Sequence, residues 1–134
     1  MERGDFDREL EKVIEKDSRY PKEAYYFVRE ALAFTQKKFG RLNAVGEEHH
    51  VTGQELLEGI REYALSEFGP MTLTVFDEWG IRRCEDFGEI VFNLVDASLL
   101  GKTEQDSKDD FKGGYDFEEA FKKPFLPSSK LNKN

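Results

Sequence analysis

The apolar residues of the chain recur mainly every three or four positions, which is the spacing that places side chains on one face of an α-helix. This pattern predicts helices over residues 5–16, 21–39, 53–68, 70–79 and 85–100. The fifth segment has the clearest period, so we expect it to be the central element. The predicted fold class is mainly α, a compact bundle of five or six helices.

Residues with strong preferences for helix ends support these boundaries. Thr52 is followed three positions later by Glu55, which is the pattern of a capping box, in which each side chain bonds the backbone N–H of the other residue. Pro21 and Pro70 suit first helical turns, where the missing N–H is not needed. Gly101 is the expected end of the fifth helix.

The segment after the fifth helix supports two interpretations. Tyr115 and Phe117 alternate as in a strand, which would give a small C-terminal β-hairpin and a winged-helix arrangement with the three preceding helices. Alternatively, Asp116 and Glu119 form a second capping box and open a short helix that ends at Pro124. We favour the short helix and keep the hairpin as the alternative.

The composition predicts one domain with an aromatic-rich core. The chain has 134 residues, of which 13% are aromatic, so it can bury one core without disulfides or a structural metal. We predict a single helical domain over residues 1–125 and a disordered tail over residues 126–134. The lone Cys84, together with the lack of an apolar leader or a membrane-spanning stretch, predicts a cytoplasmic protein without membrane contact.

The net charge of −8 is concentrated in the middle of the chain. Residues 43–101 contain 12 acidic and 3 basic residues, a net charge of −9. Nucleic-acid binding draws most of its affinity from cations that replace counterions on phosphates, so this segment would be repelled. The charge argues against nucleic acid as a partner and favours another protein.

The stretch DEWGIRRCEDFGEIV places a turn between the fourth and fifth helices, as in a helix-turn-helix. In a DNA reader, Arg82 and Arg83 would begin the recognition helix and contact phosphates or guanine edges. However, Glu85, Asp86 and Glu89 follow on the first turns of that helix and would repel DNA. We prefer a turn that only packs one helix against its neighbour, with a DNA-binding regulator of winged-helix type as an alternative.

His49 and His50 are the only histidines in the chain, and they follow Glu47 and Glu48. These residue types can bind zinc or transfer protons. Adjacent histidines generally point apart, and the His-Glu-x-x-His spacing is missing. We predict no cofactor and no metal, with a metal-dependent hydrolase around this pair as an alternative.

The chain has more aromatic residues than its helical stripes can bury. Tyr25, Tyr26 and Phe34 extend the apolar coverage of the second helix beyond one face. Core packing is the first explanation, and an exposed patch that binds another protein or a second copy of this chain is the alternative. These three residues, with Arg82 and Arg83, are the candidate binding residues.

Three stretches, TGQELLEGIREYALSEFGPM, DEWGIRRCEDFGEIVFNLVDASLL and DFKGGYDFEEAF, resemble a family of small uncharacterised bacterial proteins of the Minf type. The resemblance extends from about residue 14 to about residue 125. It implies a compact, mostly helical, cytoplasmic protein of bacterial origin. It transfers no functional residue to this chain.

Together these observations favour a non-enzymatic protein-interaction or regulatory module that binds another protein or self-associates. Besides the DNA-binding and hydrolase alternatives, a pocket for a small molecule between the aromatic helices stays open.

Overall fold

A computed structural model describes residues 3–41, 50–101 and 107–127 of the chain. The α-helices are α1 (Arg3–Lys16), α2 (Lys22–Lys38), α3 (Gly53–Phe68), α4 (Thr72–Glu78), α5 (Cys84–Asp96) and α6 (Phe117–Phe121). Short 3-10 helices cover Gly69–Met71, Lys108–Phe111 and Lys123–Phe125. The prediction of a mainly α fold is confirmed.

The capping residues act at both predicted positions. Thr52 Oγ1 accepts the backbone N–H of Glu55 at 3.1 Å, and the Glu55 carboxylate accepts the N–H of Thr52 at 2.9 Å, which completes the capping box of α3. The Asp116 carboxylate accepts the N–H of Glu119 at 3.2 Å and opens α6. Each bond satisfies a backbone donor that a helix leaves free at its N-terminus.

The helices α2 and α3 approach closely because α3 carries a glycine at the contact. A Cβ added to Gly59 would lie 1.7 Å from the Thr35 side-chain oxygen on α2. Thr35 is fully buried and satisfies its hydroxyl by donating to the carbonyl oxygen of Ala31 at 2.7 Å. Any larger residue at position 59 would therefore force these two helices apart.

The centre of the core is the fully buried ring of Phe76 on α4. It lies 5.3 Å from Phe121, 5.4 Å from Phe87 and 5.5 Å from Phe27, measured between ring centroids. All three ring pairs meet at steep angles, the edge-to-face arrangement that aromatic pairs prefer. The short helices α4 and α6 are thus fixed by ring packing rather than by their own length.

The predicted end of the fifth helix was too late. Helix α5 ends at Asp96, because Ser98 adopts a left-handed backbone conformation with φ +62°. The N–H groups of Leu99 and Leu100 turn back and donate to the carbonyl oxygen of Leu94, at 2.8 and 3.3 Å. This closing turn is of the type that caps helix C-termini, usually with glycine in the left-handed position.

The favoured short helix is present as α6, and the alternative β-hairpin is not supported by the described part of the C-terminal region. Residues 107–127 contain α6 and two 3-10 helices, and no strand occurs among the described residues. The ring of Phe111 fits a notch formed by two glycines: added Cβ atoms on Gly53 and Gly88 would each lie 3.1 Å from it. Residues 107–127, which would form part of a winged-helix hairpin, contain helices and are docked, so the described residues do not support that arrangement.

The fourth helix also differs at its start. Pro70 lies in a 3-10 turn, and α4 begins at Thr72 rather than at residue 70. Of the predicted disordered tail, residues 128–134 lie outside the described residues. In the described part of the chain, no helix combines the length and apolarity needed to cross a membrane.

Candidate functional site

Partly exposed aromatic rings lie together where α2, α3 and α4 meet. Three rings contact the buried ring of Phe27 with centroid distances of 5.6 Å: those of Tyr63, Phe68 and Trp79. Phe34 extends the series through Tyr63, at 5.5 Å. Phe27 is only 6% exposed, whereas each of the other four residues is partly exposed. We call Phe34, Tyr63, Phe68 and Trp79 the aromatic surface.

The local structure explains why these rings meet. Phe27 and Phe34 are seven residues apart on α2, two helical turns, so they share one face. Trp79 follows the last residue of α4, and its backbone N–H donates to the Val75 carbonyl oxygen at 3.1 Å. This end of α4 places the indole 5.8 Å from the ring of Phe68 at the end of α3.

Two exposed carboxylates border the aromatic surface. Glu30 lies on α2 between Phe27 and Phe34, and Glu67 lies one turn after Tyr63 on α3. Burial, followed by the negative charges of Glu67 and Glu30, raises the pKa of the Tyr63 hydroxyl. Both carboxylates therefore act electrostatically on a ring of the aromatic surface.

The three aromatic residues predicted as binding candidates occupy different environments. Tyr25 is fully buried, and its hydroxyl accepts a hydrogen bond from Asn93 at 2.9 Å, so it does not reach the surface. Tyr26 is partly buried, its hydroxyl donates to Asp7, and its ring lies 5.9 Å from that of Phe6. Only Phe34 belongs to the aromatic surface. The aromatic surplus on α2 mainly serves the packing of α1 and α5.

A second group of polar side chains joins the α1–α2 connection to α5. Arg19 donates to Asp17 at 2.6 Å and to Glu89 at 3.0 Å, and Lys108 donates to Glu89 at 3.1 Å. The hydrogen bond from Arg19 holds the pKa of Asp17 well below its ordinary range, and that of Glu89 is also lowered, first by Arg19. Asn93 completes the group by donating to Asp17 at 3.0 Å. These groups hold segments of the chain together.

Arg82 and Arg83 are exposed, but their surroundings are acidic. The Arg82 guanidinium pairs with Asp77 at 3.0 Å. The Asp86 carboxylate accepts the backbone N–H groups of Arg82 and Arg83, at 2.8 and 3.2 Å, and thereby begins α5. Within α5 only Asp96 is exposed, so this helix offers no basic face to a DNA groove.

The remaining candidates, the histidines and Cys84, form no site among the described residues. His49 lies outside the described residues, and the carbonyl oxygen of His50 accepts a hydrogen bond from Arg41 at 3.2 Å. No group of three or more His, Cys, Asp or Glu side chains that could hold a metal occurs in the segments 3–41, 50–101 and 107–127. Cys84 is buried, and burial raises its thiol pKa to about 11, which leaves the thiolate nearly unpopulated at neutral pH.

Comparison of the chain with protein families, with curated proteins and with solved structures finds no match.

Sequence reasoning identified one residue of the aromatic surface and missed three. Tyr63 and Phe68 share the apolar helical spacing of α3, and Trp79 shares that of α4. The period of a helix identifies its apolar face but does not say which members of that face lie at the edge of the core. The placement of Phe27 beneath three rings depends on how α2, α3 and α4 meet, which no single segment encodes.

Proposed function

We propose that this protein is a non-enzymatic protein-interaction module and that the aromatic surface is its binding site. The observation that supports this proposal most strongly is that Tyr63, Phe68 and Trp79 all contact the ring of Phe27 and that Phe34 continues the series through Tyr63. Large aromatic side chains are enriched in protein interfaces, because they bury much area with little loss of conformational entropy. Their clustering distinguishes them from single exposed apolar residues.

Three other large apolar residues are more exposed but stand apart. Phe39, Met71 and Phe125 are 36%, 55% and 44% exposed, and neither Phe39 nor Phe125 has a ring contact with the aromatic surface among the ring pairs of the described residues. Isolated apolar side chains are common on protein surfaces and need no functional explanation. They supply matched controls for the aromatic surface.

The charged groups support a role without catalysis. Among the described carboxylates, the resolved pKa shifts belong to Asp17, Glu55 and Glu89, each of which is held in an ion pair with an arginine. Catalytic acids and bases generally have a pKa moved towards neutrality, whereas these carboxylates are moved away from it. The DNA-binding alternative is opposed by the ion pair of Arg82 and by the covered α5 helix.

Affinity co-purification from native cells tests this proposal. Phe34→Ser and Tyr63→Ser should each lower the amount of a captured partner at least about tenfold, because truncating a central interface aromatic costs about 2 kcal/mol or more. Phe39→Ser and Phe125→Ser, the controls, should leave the capture unchanged. Unfolding curves must show that all four variants are folded. Equal capture by the two pairs of variants would contradict the proposal.

Cytoplasmic location, bacterial origin and membership of the Minf-type family stay predictions from the sequence. The lone Cys84 agrees with the first of these, because a single free thiol is typical of a reducing compartment. Self-association through the same surface is the second form of the proposal, and sedimentation velocity separates it from binding to another protein.

A further inference from the structure

The border of the aromatic surface carries two negative charges. Glu30 and Glu67 are both exposed: Glu30 lies between Phe27 and Phe34 on α2, and Glu67 lies one turn after Tyr63 on α3. A partner that covers these rings must also cover, or approach, two carboxylates. A partner segment with acidic residues there would lose binding energy through repulsion.

One cation near Phe34 is already paired. Lys38 lies one turn after Phe34 on α2, and its ammonium group binds the Glu62 carboxylate of α3 at 2.6 Å. This pair closes the far end of the surface and leaves its charge balanced. By contrast, Glu30 and Glu67 have no ion pair among those of the described residues.

We propose that the aromatic surface binds a basic amphipathic segment of a partner protein. Apolar side chains of that segment would cover Phe68 and Trp79, while lysine or arginine side chains would pair with Glu30 and Glu67. Cations also bind favourably over the faces of tryptophan and tyrosine rings, which adds to the preference for a basic segment. The net charge of −9 over residues 43–101 attracts such a partner from a distance. This inference rests on the proposed function and specifies its partner.

Trp79 is the only tryptophan in the chain, so its fluorescence reports binding at this surface. Three synthetic amphipathic helices of about 18 residues serve as probes, with the same leucine face and a polar face of lysine, glutamine or glutamate. The lysine peptide should shift the Trp79 emission and bind at least about tenfold more tightly than the glutamate peptide. Raising the salt concentration from about 0.05 M to about 0.5 M should weaken the lysine peptide only.

The charge requirement is tested with two double variants of equal net charge. Glu30→Gln combined with Glu67→Gln should weaken the lysine peptide about fivefold, the effect of two exposed ion pairs. The control, Glu11→Gln combined with Glu118→Gln, alters exposed carboxylates on α1 and α6 and should leave the affinity within about twofold of the original protein.

The outcomes separate this inference from the proposed function. Equal effects of the two double variants, equal binding of all three peptides, or no response of Trp79 to any of them would overturn the basic-segment inference. None of these results affects the co-purification experiment, which depends on Phe34 and Tyr63. If Phe39→Ser and Phe34→Ser both lost the captured partner, that result would contradict the proposed function instead.

Discussion

The hydroxyl of Tyr20 donates a 2.6 Å hydrogen bond to one oxygen of Asp86, whose other oxygen accepts the backbone N–H groups of Arg82 and Arg83. One carboxylate thus begins α5 and attaches the α1–α2 connection to it. Tyr20 is only 2% exposed, so its hydroxyl depends on this acceptor. Burial, followed by the bond to Asp86, raises the pKa of Tyr20.

Replacing this carboxylate should therefore destabilise the fold. Asp86→Ala removes a helix cap and leaves a buried hydroxyl without its acceptor, which together cost about 2–4 kcal/mol of unfolding free energy. Tyr20→Phe removes only the hydroxyl and should cost about 1 kcal/mol. Urea unfolding of both variants and of the double variant measures the coupling. A double variant whose loss equals the sum of the two single losses would contradict the shared role.

The close contact of α2 and α3 predicts a severe effect of a small substitution. Gly59→Ala places a methyl group 1.7 Å from the Thr35 side-chain oxygen and should cost about 2–3 kcal/mol of stability through strain. Gly4→Ala is the control: position 4 lies in α1 with no atom within 4 Å of an added Cβ, and alanine there should stabilise by up to about 1 kcal/mol. Thermal unfolding compares them. Similar melting temperatures for the two variants would refute the contact.

Acid should weaken the attachment of the α1–α2 connection. The pKa of Asp17 is lowered in the folded protein, first by its bond to Arg19, so its contribution is complete above the ordinary pKa of about 3.9 and is lost as the pH falls below it. Because Arg19 is 54% exposed, we expect Asp17→Asn to cost only about 1 kcal/mol at neutral pH.

The pH dependence distinguishes this contribution from general acid effects. The stability difference between the original protein and Asp17→Asn should shrink as the pH is lowered from about 6 to about 3. The control Asp96→Asn changes an exposed carboxylate of α5 and should show a smaller difference at all of these pH values. A difference for Asp17→Asn that stays constant with pH would show that its charge does not matter.

The same substitution at two phenylalanines should lower the stability by very different amounts. Phe76→Ala opens a cavity at the centre of the aromatic core and should cost about 3–5 kcal/mol. Phe125→Ala changes a side chain that is 44% exposed and should cost less than about 1 kcal/mol. Urea unfolding midpoints report both losses of stability, provided that the unfolding free energy of each variant depends equally on urea concentration. A loss at position 125 as large as that at position 76 would mean that the core is wrongly placed.

The local signals in the sequence were sufficient for most helix boundaries. Thr52 with Glu55 and Asp116 with Glu119 begin helices through bonds between neighbouring residues, so a short stretch contains all the required information. The end of α5 was placed too late because Leu99 and Leu100 continue the apolar pattern after the helix has ended. After the helix ends, the chain turns back and these two side chains pack against the core.

The site was only partly predictable for a different reason. Phe34 was identified because it exceeds what one helical stripe can bury, but Tyr25 was selected on the same ground and is fully buried by α5. The exposure of an aromatic residue depends on which neighbouring helix covers it. Trp79 and Phe68 meet at 5.8 Å through the ends of two helices, a relationship that exists only in three dimensions.

The most direct test of the interaction role is photo-crosslinking in native cells with a photoreactive amino acid at position 34. We predict that it forms an adduct with another protein, or with a second copy of this chain, and that the same amino acid at the more exposed position 125 forms none. No adduct at position 34, or equal adducts at both positions, would contradict the assignment of the aromatic surface as the binding site.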